Sequence, residues 1–239
     1  VLGVRTAEMH RALAKGESDD LRPVPAPDDA GAELADRIQE EAAATREMLA
    51  ATDIVADDDL PDETEWNAAM ERIEGLRALG GSFDRIRIHG DYHLGQVLRA
   101  DGDFYILDFE GEPARPLEER RRHKNALRDV AGMLRSLEYA VLAAWQDHTD
   151  TDDAYAPWVD SLLHWADVTF LDAYAETADD ASFLQPRDAR YEFLWAYLFE
   201  KALYEVRYEL NHRPSWAWLP LRGLRRLLDT DAPVPTTDD

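Results

Sequence analysis

One short region interrupts a sequence that is otherwise patterned for helices, and it determines the expected fold class. Within residues 84–91, Ile86 and Ile88 alternate with Arg85 and Arg87, which is typical of a half-buried strand. Residues 96–110 contain two apolar runs on either side of an Asp-Gly turn, which is a strong signal for a β-hairpin. The sequence therefore predicts an α+β fold, mostly α-helical, that carries one small hairpin.

The rest of the chain is predicted to be helical, with breaks at its Pro-rich and acidic stretches. Thr6 is a candidate N-cap of the first helix, and Gly80-Gly81 marks the end of another. Apolar residues recur every three or four positions in the later segments. The predicted helices are 4–15, 31–52, 63–79, 119–145, 155–177, 188–212 and 218–229. The predicted loops are 16–30 and an acidic turn at 57–63. We expect residues 1–229 to form one lobe, followed by a polar tail at 230–239.

The charge of the chain excludes several classes of partner. The sequence has 50 acidic and 26 basic residues, a net charge of −24. Such a surface repels nucleic acids and anionic membranes, so neither is an expected partner. The acids are scattered along the chain, which favours adaptation to a salty cytoplasm over an acidic face for a cationic partner. No apolar run is long enough to span a membrane. The absence of cysteine excludes disulfides and fits a cytoplasmic location.

Two acids stand at the two ends of the predicted hairpin and indicate phosphoryl transfer. Such a reaction needs one carboxylate that deprotonates the acceptor hydroxyl, and oxygen ligands that hold Mg²⁺ against the phosphates of ATP. In protein kinases these are a catalytic-loop Asp, an Asn five residues later and the Asp of D-F-G. Here Asp91 follows His89-Gly90, Gln96 stands five residues later, and Asp108 begins Asp-Phe-Glu. Both acids could instead be ordinary turn residues, but their joint spacing favours a kinase.

Longer motifs extend this interpretation to a family. His-Gly-Asp with a downstream Asp-Phe-Glu resembles the aminoglycoside phosphotransferase-like kinases, and several segments resemble the bacterial maltokinases among them. The segments are LGVRTAEMHRAL (2–13), HGDYHLGQVL (89–98), ILDFEGEP (106–113), LRDVAGMLRS (127–136) and EKALYEVRYELNHRPSW (200–216). The resemblance implies the C-terminal lobe of a protein-kinase-like fold. It also implies phosphorylation of maltose by ATP and Mg²⁺ to give maltose 1-phosphate, and a trehalose synthase as a fused or separate partner.

The resemblance further implies a role for each residue of the motifs. Asp91 would be the catalytic base, and His89 would support the catalytic loop. Gln96 and Asp108 would be the Mg²⁺ ligands and would hold the nucleotide through the metal.

The binding site for the sugar is predicted from the chemistry that sugars need, which is hydroxyl-pairing side chains and an aromatic platform. A group of four residues follows i, i+3, i+4, i+7 spacing and so shares one helix face. An i,i+4 Lys-Glu pair is also a common surface feature, so a solvated face is an equally good interpretation. The candidates on this face are Lys201, Tyr204, Glu205 and Tyr208, and two others are His93 and Arg135.

The nucleotide lobe of such a kinase has no counterpart in the sequence. That lobe carries a Gly-rich phosphate loop and a lysine on a strand, whereas Lys15, Lys124 and Lys201 all lie in sequence predicted to be helical. We therefore expect the N-terminal lobe to be absent and the chain to be inactive by itself.

Two other functions compete with a maltokinase. One is a kinase of another small alcohol, such as an aminoglycoside, choline or homoserine. The other is a non-catalytic module that binds a trehalose synthase, although such a module has no chemical need for Asp91, Gln96 and Asp108.

Overall fold

A computed structural model describes residues 1–16, 18, 20–55, 60–113, 115–148 and 156–228. Its helices are α1 (Leu2–Leu13), α2 (Ala30–Ala50), α3 (Glu63–Gly75), α4 (Leu117–Arg120), α5 (Leu127–His148), α6 (Ala156–Ala178), α7 (Arg187–His212) and α8 (Trp218–Leu228). Its strands are β1 (Val24–Pro25), β2 (Asp84–Arg85), β3 (Val97–Ala100) and β4 (Asp103–Ile106). The predicted tail at 230–239 and residues 57–59 of the acidic turn lie outside the described residues.

The chain folds as two compact units. The first takes in Val1–Ala26 and Ser82–Arg190, and the second takes in Pro27–Gly81 and the described chain from Tyr191 onward. The first unit contains both small sheets, which are antiparallel, with β1 paired to β2 and β3 paired to β4. In this unit α1 packs against α6. Within the residues that the structure describes, no helix is both long enough and apolar enough to cross a membrane.

The mostly helical prediction is confirmed, with two corrections in the helices. Thr6 does not cap α1, because it lies inside the helix and its hydroxyl donates to the carbonyl of Leu2 at 3.0 Å. The helix predicted at 119–145 is divided into α4 and α5. Between them Lys124 exchanges two backbone hydrogen bonds with Ile86, so this lysine is not helical.

The strand predicted at 84–91 is shorter than its alternating pattern. Only Asp84–Arg85 pairs with another strand, and its partner is Val24–Pro25 in the Pro-rich segment that was predicted to be a loop. Proline has no N–H to donate, which limits how far such a ladder can extend. The alternation is nevertheless expressed as burial, because Ile86 and Ile88 are buried while the intervening arginine is half-buried.

The predicted hairpin is confirmed. Its strands pair in the register Val97↔Ile106 to Ala100↔Asp103. The two turn residues, Asp101 and Gly102, have φ values of 53° and 80°. Positive φ at both central residues is the signature of a type I′ turn, whose twist matches that of the flanking strands. The hairpin therefore ends two residues before Asp108.

Helix α1 contacts the turn end of the hairpin through an ion pair. The Arg5 guanidinium donates from Nε and Nη2 to the two oxygens of Asp103, at 2.8 and 2.7 Å. These bonds lower the pKa of Asp103 to about 2. Both side chains are about one-third exposed, so this pair orients the hairpin more than it stabilises the fold.

Replacing Gly102 by alanine should lower the free energy of unfolding by about 1–2 kcal/mol, because a Cβ is disfavoured in the left-handed region. Gly75 is a matched control, since it is helical and a Cβ added there would meet nothing within 4 Å. Gly75→Ala should instead stabilise the protein by about 0.5–1 kcal/mol. Urea unfolding of both variants tests this, and equal effects of the two substitutions would contradict the turn geometry.

The second unit is organised around aromatic side chains. Trp195 stacks on Phe199 with ring centroids 5.2 Å apart, and Trp66 meets Phe199 edge-on at 6.3 Å. The Arg72 guanidinium lies 4.2 Å from the Trp195 ring centroid, and the indole N–H of Trp195 donates to the carbonyl of Leu227 at 3.1 Å. The Trp66–Phe199 pair thus joins α3 to α7, and the indole hydrogen bond of Trp195 joins α8 to α7.

Candidate active site

His89 joins the two loops that carry the predicted catalytic and metal-binding residues. Its side chain is buried, and its Nε2 lies 2.7 Å from the carbonyl oxygen of Leu107. A carbonyl only accepts, so Nε2 carries the proton, and Nδ1 accepts the backbone N–H of Asp91 at 3.4 Å. The ring thus connects the backbone of Asp91 to the residue that precedes Asp108. From this position His89 would support both loops.

Asp129, at the start of α5, holds the backbone of the loop that carries Asp91, which is the predicted catalytic loop. Its carboxylate accepts the N–H groups of His89 and Gly90 at 2.7 and 2.9 Å, and it lies 3.1 Å from Nε2 of His10. The other ring nitrogen of His10 is 2.9 Å from the hydroxyl of Tyr174. Burial raises the pKa of Asp129, but the hydrogen bond and charge of His10 and the bond from Gly90 outweigh it, so the pKa is lowered. The carboxylate therefore stays ionised beneath the loop.

The loop is also attached to α1 through a second buried contact. The hydroxyls of Thr6 and Tyr92 are 2.8 Å apart, and burial raises the pKa of Tyr92 to about 12. Sequence reasoning missed Asp129, His10 and Tyr92 as residues of the site. All three lie in the segments that resemble the maltokinases. The signal that could have identified them is the polar side chain that each contributes to its segment.

The Asp91 carboxylate is available for chemistry. The side chain is half-buried, and among the described residues its carboxylate has no hydrogen-bond partner. A general base must be able to reach the proton that it removes, and a carboxylate already engaged in an ion pair could not do so.

Gln96 and Asp108 meet across the base of the hairpin. The amide nitrogen of Gln96 lies 3.2 Å from Oδ2 of Asp108. Asp108 is exposed and has a φ of 60°, in the left-handed region that is uncommon for residues with a side chain and that aspartate adopts more readily than most. The fold brings together the two residues that were predicted as metal ligands, although they are twelve positions apart.

The donor set of this pair fits Mg²⁺. A carboxylate and an amide carbonyl are hard oxygen ligands, and Mg²⁺ is usually held by one or two carboxylates together with substrate phosphates and water. Within the described part of the chain, no group of three or more histidine, aspartate or glutamate side chains could hold a metal by itself. Gln96 and Asp108 would hold the metal together with phosphate oxygens and water.

His93 and Arg135 have partners within the first unit. Nδ1 of His93 accepts the backbone N–H of Gly95 at 3.0 Å and caps the short turn Leu94–Gln96. Arg135 is 2% exposed and forms an ion pair with Glu138. Their contact with a sugar stays a prediction.

The remaining four sugar candidates lie on one face of α7, in the second unit. The rings of Tyr204 and Tyr208 are stacked at 6.2 Å and are about 40% exposed, at 39% and 41%. The Lys201 ammonium lies 5.1 Å from the Tyr204 ring centroid, and Tyr208 stacks on His212 at 4.4 Å. Glu205 lies half-buried beside them. The face is an exposed row of stacked rings.

Comparison with known proteins relates the chain to sugar kinases. No protein-family model matches it. A glucosamine kinase of Mycolicibacterium smegmatis is 35% identical over 168 residues, which are 68% of this chain and 40% of that protein. Another glucosamine kinase, from Streptacidiphilus jiangxiensis, is 35% identical over 159 residues, which are 64% of this chain and 34% of that protein. The chain therefore spans less than half the length of these curated relatives.

Solved structures give the same relationship. A crystal structure of a glucosamine kinase superposes with a TM-score of 0.75 and 29% identity, over 96% of this chain and 50% of that one. A glucosamine kinase in complex with glucosamine, ADP and inorganic phosphate gives a TM-score of 0.74 and 29% identity, over 95% of this chain and 53% of that one. The chain thus has the kinase-like fold of these glucosamine kinases over about half of their length, and the similarities support a kinase family without favouring maltokinases.

Proposed function

We propose that this chain supplies the catalytic base and the metal ligands of an ATP-dependent sugar kinase whose acceptor is glucosamine. The observation that carries the proposal is the arrangement of the two loops. On one loop stands the Asp91 carboxylate, which has no hydrogen-bond partner in the described part of the chain. The Gln96–Asp108 pair joins the other loop to the hairpin, and His89 hydrogen-bonds to both loops. The similarity to two glucosamine kinases supports the same assignment.

The reaction follows from the roles of these residues. Asp91 accepts the proton of the acceptor hydroxyl, while the oxygen of that hydroxyl forms a bond to the γ-phosphorus of ATP. The bond between that phosphorus and the bridging oxygen breaks, and ADP leaves with the electron pair. Gln96 and Asp108 would hold a Mg²⁺ ion, which would supply neutralisation of the phosphate charge. His89 and Asp129 keep the Asp91 loop in position by hydrogen bonds to its backbone.

Glucosamine suits the charge of the protein. It carries an ammonium group at neutral pH, which a chain with a net charge of −24 does not repel, and both curated relatives are glucosamine kinases. Maltose is the second candidate, because stacked tyrosines such as Tyr204 and Tyr208 suit an uncharged disaccharide and Lys201 beside them repels an ammonium. A trehalose synthase partner has only the motif resemblance behind it.

The acceptor is tested by ³¹P NMR of the natural full-length protein with MgATP and a panel of alcohols. We expect a sugar phosphate signal from glucosamine and a weaker one from N-acetylglucosamine, which has the same ring without the charge. A signal from maltose alone would favour the second candidate. Transfer only to choline, homoserine or an aminoglycoside would favour a kinase of another small alcohol over a sugar kinase. No transfer to any of them would contradict the kinase assignment.

A further inference from the structure

Arg120, at the end of α4, lies against the loop that follows Asp108. Its Nη1 donates to the carbonyl oxygen of Glu110 at 3.2 Å. Its aliphatic stem packs on Gly111, since a Cβ added to that glycine would lie 3.4–3.5 Å from the Cβ, Cγ and Cδ atoms of Arg120. One side chain thus contacts two consecutive residues just after the metal-binding acid.

Gly111 is also the point where this loop approaches the catalytic loop. A Cβ added to Gly90 would lie 3.5 Å from the Cα of Gly111, and both glycines have positive φ values, 86° and 75°. Any side chain here would be strained by the backbone conformation. Gly111 therefore contacts the catalytic loop as well as Arg120. A shift of Arg120 would displace both the loop after Asp108 and the catalytic loop.

The segment that carries Arg120 is itself held in place. Arg115 pairs with Glu112 at 2.6 Å and with Glu119, the residue before Arg120. The backbone N–H of Arg120 donates to the carbonyl of Pro116 at 3.0 Å. The segment that carries Arg120 is therefore fixed by two ion pairs and a backbone hydrogen bond.

We infer that Arg120 is a positioning residue, which holds the loop after Asp108 against the catalytic loop so that the Asp108 carboxylate stays beside Gln96. The structural part of this inference stands on the contacts of Arg120 alone, and its consequence for the metal rests on the proposed function. Asp108 needs such support, because its left-handed conformation is unfavourable for a residue with a Cβ.

Hydrogen–deuterium exchange of the metal-free protein tests the structural part. Arg120→Ala should speed exchange of the amides at 107–113 by about tenfold, because a charge-assisted hydrogen bond is lost. Arg120→Lys retains a stem and a donor and should recover much of the protection. The matched control is Arg122→Ala, since Arg122 is exposed and its only ion pair among the described residues is 3.7 Å from Glu118. Equal exchange in the Arg120→Ala and Arg122→Ala variants would overturn the inference.

The Mg²⁺ dependence of phosphate transfer by the natural full-length protein tests the functional part. Arg120→Ala should raise the apparent Mg²⁺ constant by about 10- to 100-fold, as loss of a residue behind a metal ligand does. Saturating Mg²⁺ should restore kcat, which it would not do if the fold were lost. An unchanged apparent Mg²⁺ constant, or a loss of kcat that saturating Mg²⁺ does not restore, would overturn the functional part of the inference. A wild-type protein without transfer would refute the proposed function, while the exchange experiment would still decide the role of Arg120.

Discussion

Replacing Asp91 by asparagine should reduce phosphate transfer by about 10²- to 10⁴-fold, the usual contribution of a general base. An amide has nearly the same shape as the carboxylate but cannot take the proton of the acceptor hydroxyl. The fold should not change, because within the described chain no hydrogen bond or ion pair depends on this carboxylate, and its backbone N–H still donates to His89. The loss should therefore appear in kcat with little effect on the thermal midpoint.

The measurement is the rate of ADP release with the acceptor that the NMR panel identifies. Asp101→Asn is a matched control, since it makes the same chemical change at the hairpin turn, where asparagine accepts the positive φ. This control should keep the wild-type rate. Retention of more than about one-tenth of the rate by Asp91→Asn would refute its role as the base.

Replacing Asp129 by alanine should lower the free energy of unfolding by about 3–5 kcal/mol, because it leaves buried partners of a charged group without an acceptor. The partners are the backbone N–H groups of His89 and Gly90 and the ring of His10. Since these bonds also hold the Asp91 loop, phosphate transfer should fall as well. Urea unfolding measures the first effect and ADP release the second.

The pH dependence of stability provides an independent check on Asp129. Its pKa is lowered in the folded protein, so its bonds contribute stability above the ordinary pKa of aspartate. That contribution is lost as the pH falls from there through the lowered value. Asp129→Asn should therefore flatten the acid limb of the stability curve. The control is Asp180→Asn, because Asp180 also has a lowered pKa but lies at the surface beside Arg11. Equal effects of the two substitutions would contradict the anchoring role.

The sequence by itself was sufficient for the features that depend on local structure. The Asp-Gly turn determined the hairpin and its register, and the register brings Gln96 to Asp108. Helical spacing likewise determined that Tyr204 and Tyr208 share one face of α7. These features follow from backbone geometry over a few residues, because strand and helix periods are fixed by short-range sterics and hydrogen bonds.

Only the tertiary structure decided the contacts between distant segments. His10 reaches Asp129 across 119 positions, and Thr6 reaches Tyr92 across 86. The bridge between Ile86 and Lys124 divides a stretch whose local pattern is helical throughout. No periodicity encodes such pairs, because each depends on where separate elements pack and on buried polar groups finding partners there. Local sequence thus determined that Asp91 and Asp108 flank the hairpin, and long-range packing determined how their loops are held.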